Sequence, residues 1–390
     1  MDTSGYAFEE PPKLSYDDMI ALYEGSGLFA KVIDTPAEEA VRKAPVLRGG
    51  GEAAEIVAEA FERIGWEEQA GTAVQWARLF GGAIAVMLID DGGRLEDPVK
   101  MERVRSVDDM RVYPCSQVRI DLAPDGQPER FHVSSMYGDF TVDASRCLTF
   151  RNDTAPELSK NENFRLWGIP ECFRINEAVK RAALSSEQAV KAVDAAVLAV
   201  YKARGLSAIL AQEGGEELVV RRLQVIDAAR SVWNTILIDA GGESYDFIGA
   251  GLEGKGEIVE CAMRYLAAVS RIPPEILYGY RNPHWWRNSS PAAQEAYYNF
   301  VGGIQRRMLK PNAERLASLI LQADGRQLSR LPPPVIDFPP LWSQSATEQA
   351  AAAQRRAEAQ LARAKTIQAY MTADVVGRQD VRPLLKGLKK

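Results

Sequence analysis

Histidine is nearly missing from this sequence: His132 and His284 are the two present in 390 residues. A His-centred triad or a His-rich metal site therefore has almost no material to use. Cysteine is scarce too. Cys115, Cys147, Cys172 and Cys261 lie far apart with no CxxC pair, which argues against a secreted disulfide framework and a zinc knuckle and makes a reducing cytoplasm the expected compartment. No GxSxG elbow, HExxH or Walker pattern occurs. The longest nearly uncharged apolar stretch, Leu79 to Ile89, falls far short of the ~20 residues that span a bilayer. The opening MDTSGYAFEEPP is acidic, without a basic-then-apolar tract, and reads as neither a signal peptide nor a presequence. Basic residues have no excess: 47 Lys and Arg face 53 Asp and Glu, a net charge of −6. That removes the usual electrostatic ground for tight nucleic-acid binding, so any DNA contact is expected to be local, weak or non-adhesive.

What is present is ordinary for a folded chain. A hydrophobic content of 46% and a charged content of 26% permit a sizeable core, and at ~100–200 residues per domain the chain has room for two or three units. No fixed-period repeat appears. From Tyr16 to Arg48 apolar residues recur at helical spacing, with Gly25 and Gly27 marking a break between two helices. Glu52 to Ile64 and Trp66 to Phe80 predict two more helices, the second ending at Gly81-Gly82 and running into the β-rich AIAVMLIDDGG. Short strands follow between Val112 and Phe150, with a turn at Asp125-Gly126, and predict a small antiparallel β module. Residues 152–164 read as an exposed loop. After Pro170 the chain is free of breakers to Arg204, which predicts one unbroken helix of about 50 Å. Then come a helix around Gln224 to Trp233, a hairpin in TILIDAGGESYDFIG turning at Gly241-Gly242, and a helix over Glu257 to Ser270 that stops at Pro273-Pro274. The aromatic loop LYGYRNPHWWRNSS leads into a helix from Ala292 to Leu321, interrupted near Pro311. Beyond LPPPVIDFPPLW, an Ala/Gln/Arg helix is expected over Ser345 to Met371, followed by a short helix ending in LLKGLKK.

Several patterns invite a chemical reading. Gly249, Gly251 and Gly254 spell GxGxxG between a strand and a helix, the phosphate-cradling order of dinucleotide folds. Glu253 would put a carboxylate inside that anion nest, the strand reads as half of a hairpin, and no second parallel strand follows, so a plain glycine-rich loop is the stronger reading. Asp90-Asp91 at a strand end could hold a magnesium ion, but Asp-Gly is a common turn and no further carboxylate stands at a helpful spacing. Trp285 and Trp286 interleave with Arg281 and Arg287, a combination able to stack bases but more often used to anchor a loop or to meet another subunit. Arg355, Arg356, Arg363 and Lys365 fit a solvated helix, a helix packing on its copies, or a DNA-facing end. Catalysis without histidine needs clustered acids or lysines, and neither set is clustered. No covalent chemistry, cofactor or metal is expected.

The order of elements says more than any single motif. GLFAKVIDTPAEEAVRKAPVL, WARLFGGAIAVMLIDDG, VDASRCLTF, WGIPECFRINEAVK, YLAAVSRIPPEILYG and YYNFVGGIQRRMLKPNAERL follow one another in a series that resembles tailed-phage portal proteins, specifically a portal-like head-protein group once classed as a domain of unknown function. Two local departures stand out. Asp143 and Ala144 precede Ser145-Arg146 where that group usually carries a histidine, and His284, Trp285 and Trp286 occupy a stretch that is usually glycine-rich.

The resemblance implies an α+β portal fold: residues 1–111 as the N-terminal part of a wing, 112–166 as a clip-like β module, 167–204 as a long stem or wing helix, 205–344 as the wing core, and 345–390 as a helical crown. It implies a subunit of a ring, generally dodecameric, at one capsid vertex of a virion assembled in the host cytoplasm. Double-stranded DNA would occupy the channel, with terminase, the major capsid protein and the head-tail adaptor as protein partners. Candidate channel residues are Lys180, Arg181, Lys191 and Lys255, each of which also fits a solvated or intersubunit ion pair. Candidate subunit contacts are Arg281, Trp285, Trp286 and Arg287. A channel that lets DNA slide gains from few phosphate contacts, because each one adds counterion-release free energy to binding; an acidic chain suits that. The rival readings are a nucleotide- or magnesium-dependent enzyme and another head-tail structural protein.

Overall fold

The computed structural model describes residues 14–159, 161–194, 197–203, 205–233, 243–249, 255–279, 291–323 and 333–342, together with Gln354 and Glu358. Helix α1, Tyr16–Gly25, starts on a capping box in which the Ser15 side chain and Asp18 serve each other's backbone N–H groups. Helix α2, Gly27–Val41, is capped by Ser26. The helical reading to Arg48 fails at its end. Val46–Arg48 is a short strand, β1, paired antiparallel with Val335–Asp337, because Pro45 ends the helical run and the residue before a proline avoids the helical region. Helices α3, Glu52–Ile64, and α4, Trp66–Phe80, match the expected bounds.

Strand β2, Gly82–Asp90, is the centre of the body. It lies between β3, Ser106–Pro114, and β7, Cys147–Arg151, antiparallel to both. Its apolar run is buried on both faces over most of its length, since α4 covers it and β3 and β7 fill its edges. A second sheet joins β4, Val118–Leu122, β5, Pro128–Ser135, and β6, Gly138–Asp143. Residues 112–166 thus divide between the two sheets. β3 begins before Val112, β3 and β7 both belong to the body sheet, and Phe131, Val133 and Val142 share the main core with Ile33, Val74, Ile84 and Leu316. A buried strand has backbone N–H and C=O groups on both edges that need partners, and β3 and β7 supply them.

The segment expected as a loop contains a short helix, α5, Glu162–Leu166. The long helix is shorter than expected: α6 runs from Cys172 to Asp194, 23 residues or about 34 Å. Val197–Ala203 is strand β8, which carries Val197, Val200 and Tyr201, residues that fit a pleated surface. The absence of Gly and Pro suggested continuity there, but a helix also ends where a strand partner is available. That partner is β9, Glu243–Gly249, in register Val197↔Gly249 through Ala203↔Glu243; the expected turn at Gly241-Gly242 lies outside the described residues. Between the two strands lie α7, Leu206–Leu210, and α8, Gly215–Trp233.

Helix α9, Lys255–Ser270, packs against α6. Burial along the pair is confined to one end: Ile175, Ala178, Val179 and Ala182 of α6 and Leu266, Ala267 and Ser270 of α9 are covered, whereas Leu184, Val190 and Ile258 are exposed. The two helices thus leave the body as a stalk that carries β8, α7, α8 and β9. After α10, Pro274–Tyr278, come α11, Pro291–Ile304, a π-helical turn over Gln305–Leu309, and α12, Lys310–Ala323. The interruption expected near Pro311 is this π turn. Proline has no N–H to offer the Arg307 carbonyl, so the coil widens before it. Strand β10, Val335–Asp337, returns to β1.

Cys115, Cys147 and Cys172 are buried and Cys261 is exposed. Burial pushes the Cys115 thiol up to about 11 and the Cys172 thiol up to about 12, and raises Cys147 in the same direction. Ellman's reagent at pH 8 is expected to titrate one thiol in the native unassembled chain and all four after denaturation.

Candidate functional site

The base of the stalk is where separate sequence motifs meet. Pro36 sits inside α2 and cannot donate to the carbonyl of Val32, four residues earlier. Arg78 of α4 makes up the loss: its Nη2 donates to Val32 O at 3.1 Å and its Nε to Ile33 O at 3.1 Å. The Arg78 side chain is almost fully buried and faces Glu171, at the entry to α6, across 3.6 Å. Its guanidinium also lies 5.9 Å from the centre of the Phe300 ring on α11. One side chain therefore ties α2, α4, α6 and α11 together.

Beside it, Gly81 and Gly82 run against Trp167 and Gly168. The Glu171 N–H donates to Arg78 O at 2.9 Å, the Asn152 N–H to Gly81 O at 3.0 Å, and the Asn152 side chain to Ile169 O at 2.7 Å. These bonds clamp the end of β7 and the start of α6 to the α4–β2 corner. They set the direction in which the stalk leaves the body.

A shell of arginines surrounds the same point. Asp153 accepts from Arg174 at 2.7 Å and Arg307 at 3.0 Å, and Arg271 reaches within 4.0 Å. Burial alone would raise the Asp153 carboxyl, but Arg174 and Arg307 hold it below its ordinary value. Arg271 has φ +61, the left-handed region, and stands 5.3 Å from the Phe300 ring. The π turn that delivers Arg307 and the left-handed Arg271 both lie at this base, and local strain of that kind tends to be kept where geometry is used.

A second buried pair fixes the turn after β2. Arg146 donates to Asp91 at 2.7 Å, with both side chains out of solvent, and its Nε donates to Asp97 O at 2.8 Å. Burial alone would raise the Asp91 carboxyl, but the Lys100 N–H, the Arg146 guanidinium and the Gly93 N–H together hold it down to about 2. Asp91 is thus committed to structure. Its folded pKa lies below the unfolded value, so its contribution is present above about pH 4 and lost as pH falls through about 2. Acid titration should show Asp91→Asn less stable than the parent by about 2 kcal/mol at pH 7, with the difference closing toward pH 2.

The expected channel residues have near partners. Lys180 and Arg181 both lie 4.0 Å from Glu177, and Lys191 lies 2.6 Å from Glu187. Arg181 also covers the Tyr265 ring of α9 at 5.8 Å. Lys255 opens α9, and its side chain is outside the described set; Arg281, Trp285, Trp286 and Arg287 lie outside the described residues altogether, as do Arg355, Arg356, Arg363 and Lys365. Gly249 closes β9, which pairs antiparallel in place of joining a βαβ unit; Gly251 and Gly254 are outside the described residues. Asp90 faces Arg105 at 3.8 Å. His132 links three strands, with Nε2 2.6 Å from Asp121 of β4 and Nδ1 2.9 Å from Thr141 of β6. Among the described residues no group of three or more His, Cys, Asp or Glu side chains is placed to hold a metal ion.

Sequence reading missed the uncovered apolar surface. On α8, Leu218, Val220, Leu223 and Val225 are all exposed, Leu218 by 61%. Leu184, Val190, Ile258 and Tyr265 on the stalk are exposed as well. Apolar spacing on a helix signals burial without saying against what, and among the described residues these side chains have no cover.

Residues 17–361 match the family model described as phage portal protein. Among curated proteins, the anti-CBASS protein Acb1 of Sphingomonas paeninsulae is 22% identical over 322 residues, covering 78% of this chain and 51% of that one; the chain spans about half the length of that relative. Two solved structures share the fold. One is from the virion of a native gene transfer agent particle (TM-score 0.52, 13% identity, 91% of each chain). The other is from the neck of a native gene transfer agent particle computed with C12 symmetry (TM-score 0.51, 14% identity, 87% of this chain and 88% of that one).

Proposed function

The chain belongs to the phage portal protein family, and from that premise we propose that it is a subunit of the ring at the capsid vertex, giving shape to a conduit for double-stranded DNA. The observation that carries the ring is the exposed apolar surface of α8, Leu218 and Val225 on one side and Val220 and Leu223 on the other, together with that of the outer stalk. Such surface is closed by a head-to-tail contact in which each copy covers the next, and head-to-tail contacts with the right rotation close into rings. Twelve copies is the number this reading adopts, since a protein of the same fold sits in a neck computed with C12 symmetry. The acidic net charge and the intrahelical pairing of Lys180, Arg181 and Lys191 suit a wall that does not grip phosphates.

In this reading residues 1–111 and the body helices after α9 serve as wing, 345–390 as crown, and α6 with α9 as stem. The surface that meets terminase and the head-tail adaptor is assigned to β8, α7, α8 and β9, which ride on the stalk, whereas β3 and β7 belong to the body sheet. Wing surfaces meet the major capsid protein, and the ring forms in the host cytoplasm before it joins the virion.

Native mass spectrometry and negative-stain images of the purified chain should give a ring with a central channel. Lone subunits under every assembly condition would overturn the proposal. Leu218→Glu combined with Leu223→Glu should shift the population to monomers with unchanged far-UV circular dichroism, since both side chains already face solvent in the single chain.

A further inference from the structure

A groove of about 810 Å³ runs between α2, α3 and α4. Its floor is apolar, with Ala37, Val41, Phe61 and Trp66. Its rim carries five carboxylates, Asp34, Glu38, Glu62, Glu67 and Glu68, and no lysine or arginine lines it. Asp34 is satisfied by Tyr23 and Gln75, and Glu67 and Glu68 stand in the first turn of α4, where negative charge is favourable. Glu38 and Glu62 are different. They stand in the last turns of α2 and α3, where the helix dipole disfavours an anion, and among the described residues neither has an ion-pair partner.

Positive charge is in excess at the base of the stalk. Arg78 and Glu171 balance each other there, but Arg174, Arg271 and Arg307 share the one Asp153 carboxylate. Arg306, beside Arg307 in the π turn, is exposed. Arg271 and Arg307 keep more than half of their side chains in solvent, 54% and 58%. The loop that leaves Asp153 carries Glu157 and then Leu158, which is 95% exposed. Five residues of backbone keep Leu158 within about 18 Å of Asp153. With Glu157 counted, the four arginines still outnumber the two carboxylates. A single exposed leucine is ordinary, but an apolar side chain on the same flank as several arginines has the make-up of an interface.

The two patches lie on different flanks of the body. Asp34, Glu38 and Val41 line the groove from α2. Ile33, Pro36 and Ala40 of the same helix are buried on the side of the stalk base, where Gln305 of the π turn donates to Ala40 O at 2.8 Å. At about 100° per residue the two sets point about 130° apart around α2. Patches so placed do not meet within one copy. They meet when one copy follows another around an axis, which is a head-to-tail contact.

We propose that the Leu158 loop and its arginines seat in the α2–α3–α4 groove of the next copy, with Leu158 on the apolar floor and Arg271, Arg306 and Arg307 against Glu38, Glu62, Glu67 and Glu68. This contact presupposes the ring and names the body surfaces that close it, in addition to α8 and the outer stalk.

The test uses the purified full chain. Glu38→Lys with Glu62→Lys should lower the yield of rings in native mass spectra about tenfold, since it sets like charges against one another across the contact. The same variant should melt no lower than the parent, because a cation in the last turn of a helix is favourable. That opposite sign separates a lost contact from a lost fold. Arg271→Glu with Arg306→Glu should lower the yield to a similar extent, and the chain carrying all four changes should recover it to within about twofold of the parent. Leu158→benzoylphenylalanine, photolysed in assembled rings, should give adducts on residues 34–75 at the mass of two chains or more. Normal ring yield in both charge variants, no recovery in the combined variant, or adducts confined to other segments or to the mass of one chain would overturn this contact and leave the ring intact. A parent chain that stays monomeric under every assembly condition would overturn the ring, and this contact with it.

Discussion

Arg78→Ala is expected to destabilise the chain by about 3–5 kcal/mol, because it strips a buried guanidinium from a carboxylate and two carbonyls at once. In a protein of this size that is a fall in melting temperature of roughly 5 °C. Arg78→Lys should recover only part of the loss. An ammonium on a flexible stem lacks the planar fork that spans Val32 O and Ile33 O while facing Glu171. The proline provides a sharper check. Pro36→Ala restores an N–H to the position whose absence frees the Val32 carbonyl, so in the Arg78→Ala background it should return about 1 kcal/mol. In the parent it should add little, since Arg78 already occupies that carbonyl. A double-mutant cycle measured by thermal or urea unfolding reads the coupling directly. A coupling near zero would mean that the bond to Val32 O contributes nothing and that Arg78 acts through its other partners, Ile33 O, Glu171 and Phe300.

Gly81→Ala should cost about 3 kcal/mol, through strain at positive φ and overpacking together. Gly81 has φ +103, and a Cβ there would lie 2.5 Å from Gly168 O, a backbone atom that cannot swing aside. Gly82→Ala meets a different obstacle, the Trp167 ring at 2.5 Å. Its loss should be smaller in a Trp167→Leu background, where that side chain is shorter. Gly25→Ala is the control: no atom stands within 4 Å of a Cβ there, so its effect should stay within about 0.5 kcal/mol. The Gly81 corner holds the start of α6, so the same variant should also lower the yield of rings seen by electron microscopy, out of proportion to the loss of folded chain.

Both predictions concern residues that the portal-like motif series contains, and the structure supplies their physical reason. The Arg78, Gly81 and Gly82 of WARLFGGA, the Trp167 and Gly168 of WGIP, and the Pro36 of VIDTPAEEA are far apart in sequence and lie at one corner. Each string read alone fits many folds. Packed together they are one device, a rigid seat for the stalk. Ser145-Arg146 belongs to a second device: Arg146 is buried against Asp91, and Ser145 Oγ accepts the Val99 N–H at 2.8 Å. The pairing of Asp91 with Arg146 was not legible beforehand, because an Asp-Gly turn explains an exposed aspartate as readily as a buried one.

The sequence by itself determined the early helices, the helix-to-strand change at Gly81-Gly82, the α+β class and the family, because caps, glycine breaks and apolar periodicity act over a few residues and because six short strings kept their order. Tertiary structure decided where α6 ends, which strands join the body sheet, and which arginines are buried. Those outcomes depend on partners distant in the chain: β8 is a strand because β9 lies beside it, β3 and β7 join the body sheet because both edges of β2 carry backbone groups that need partners, and Arg78 is buried because a proline on another helix left a carbonyl without its donor.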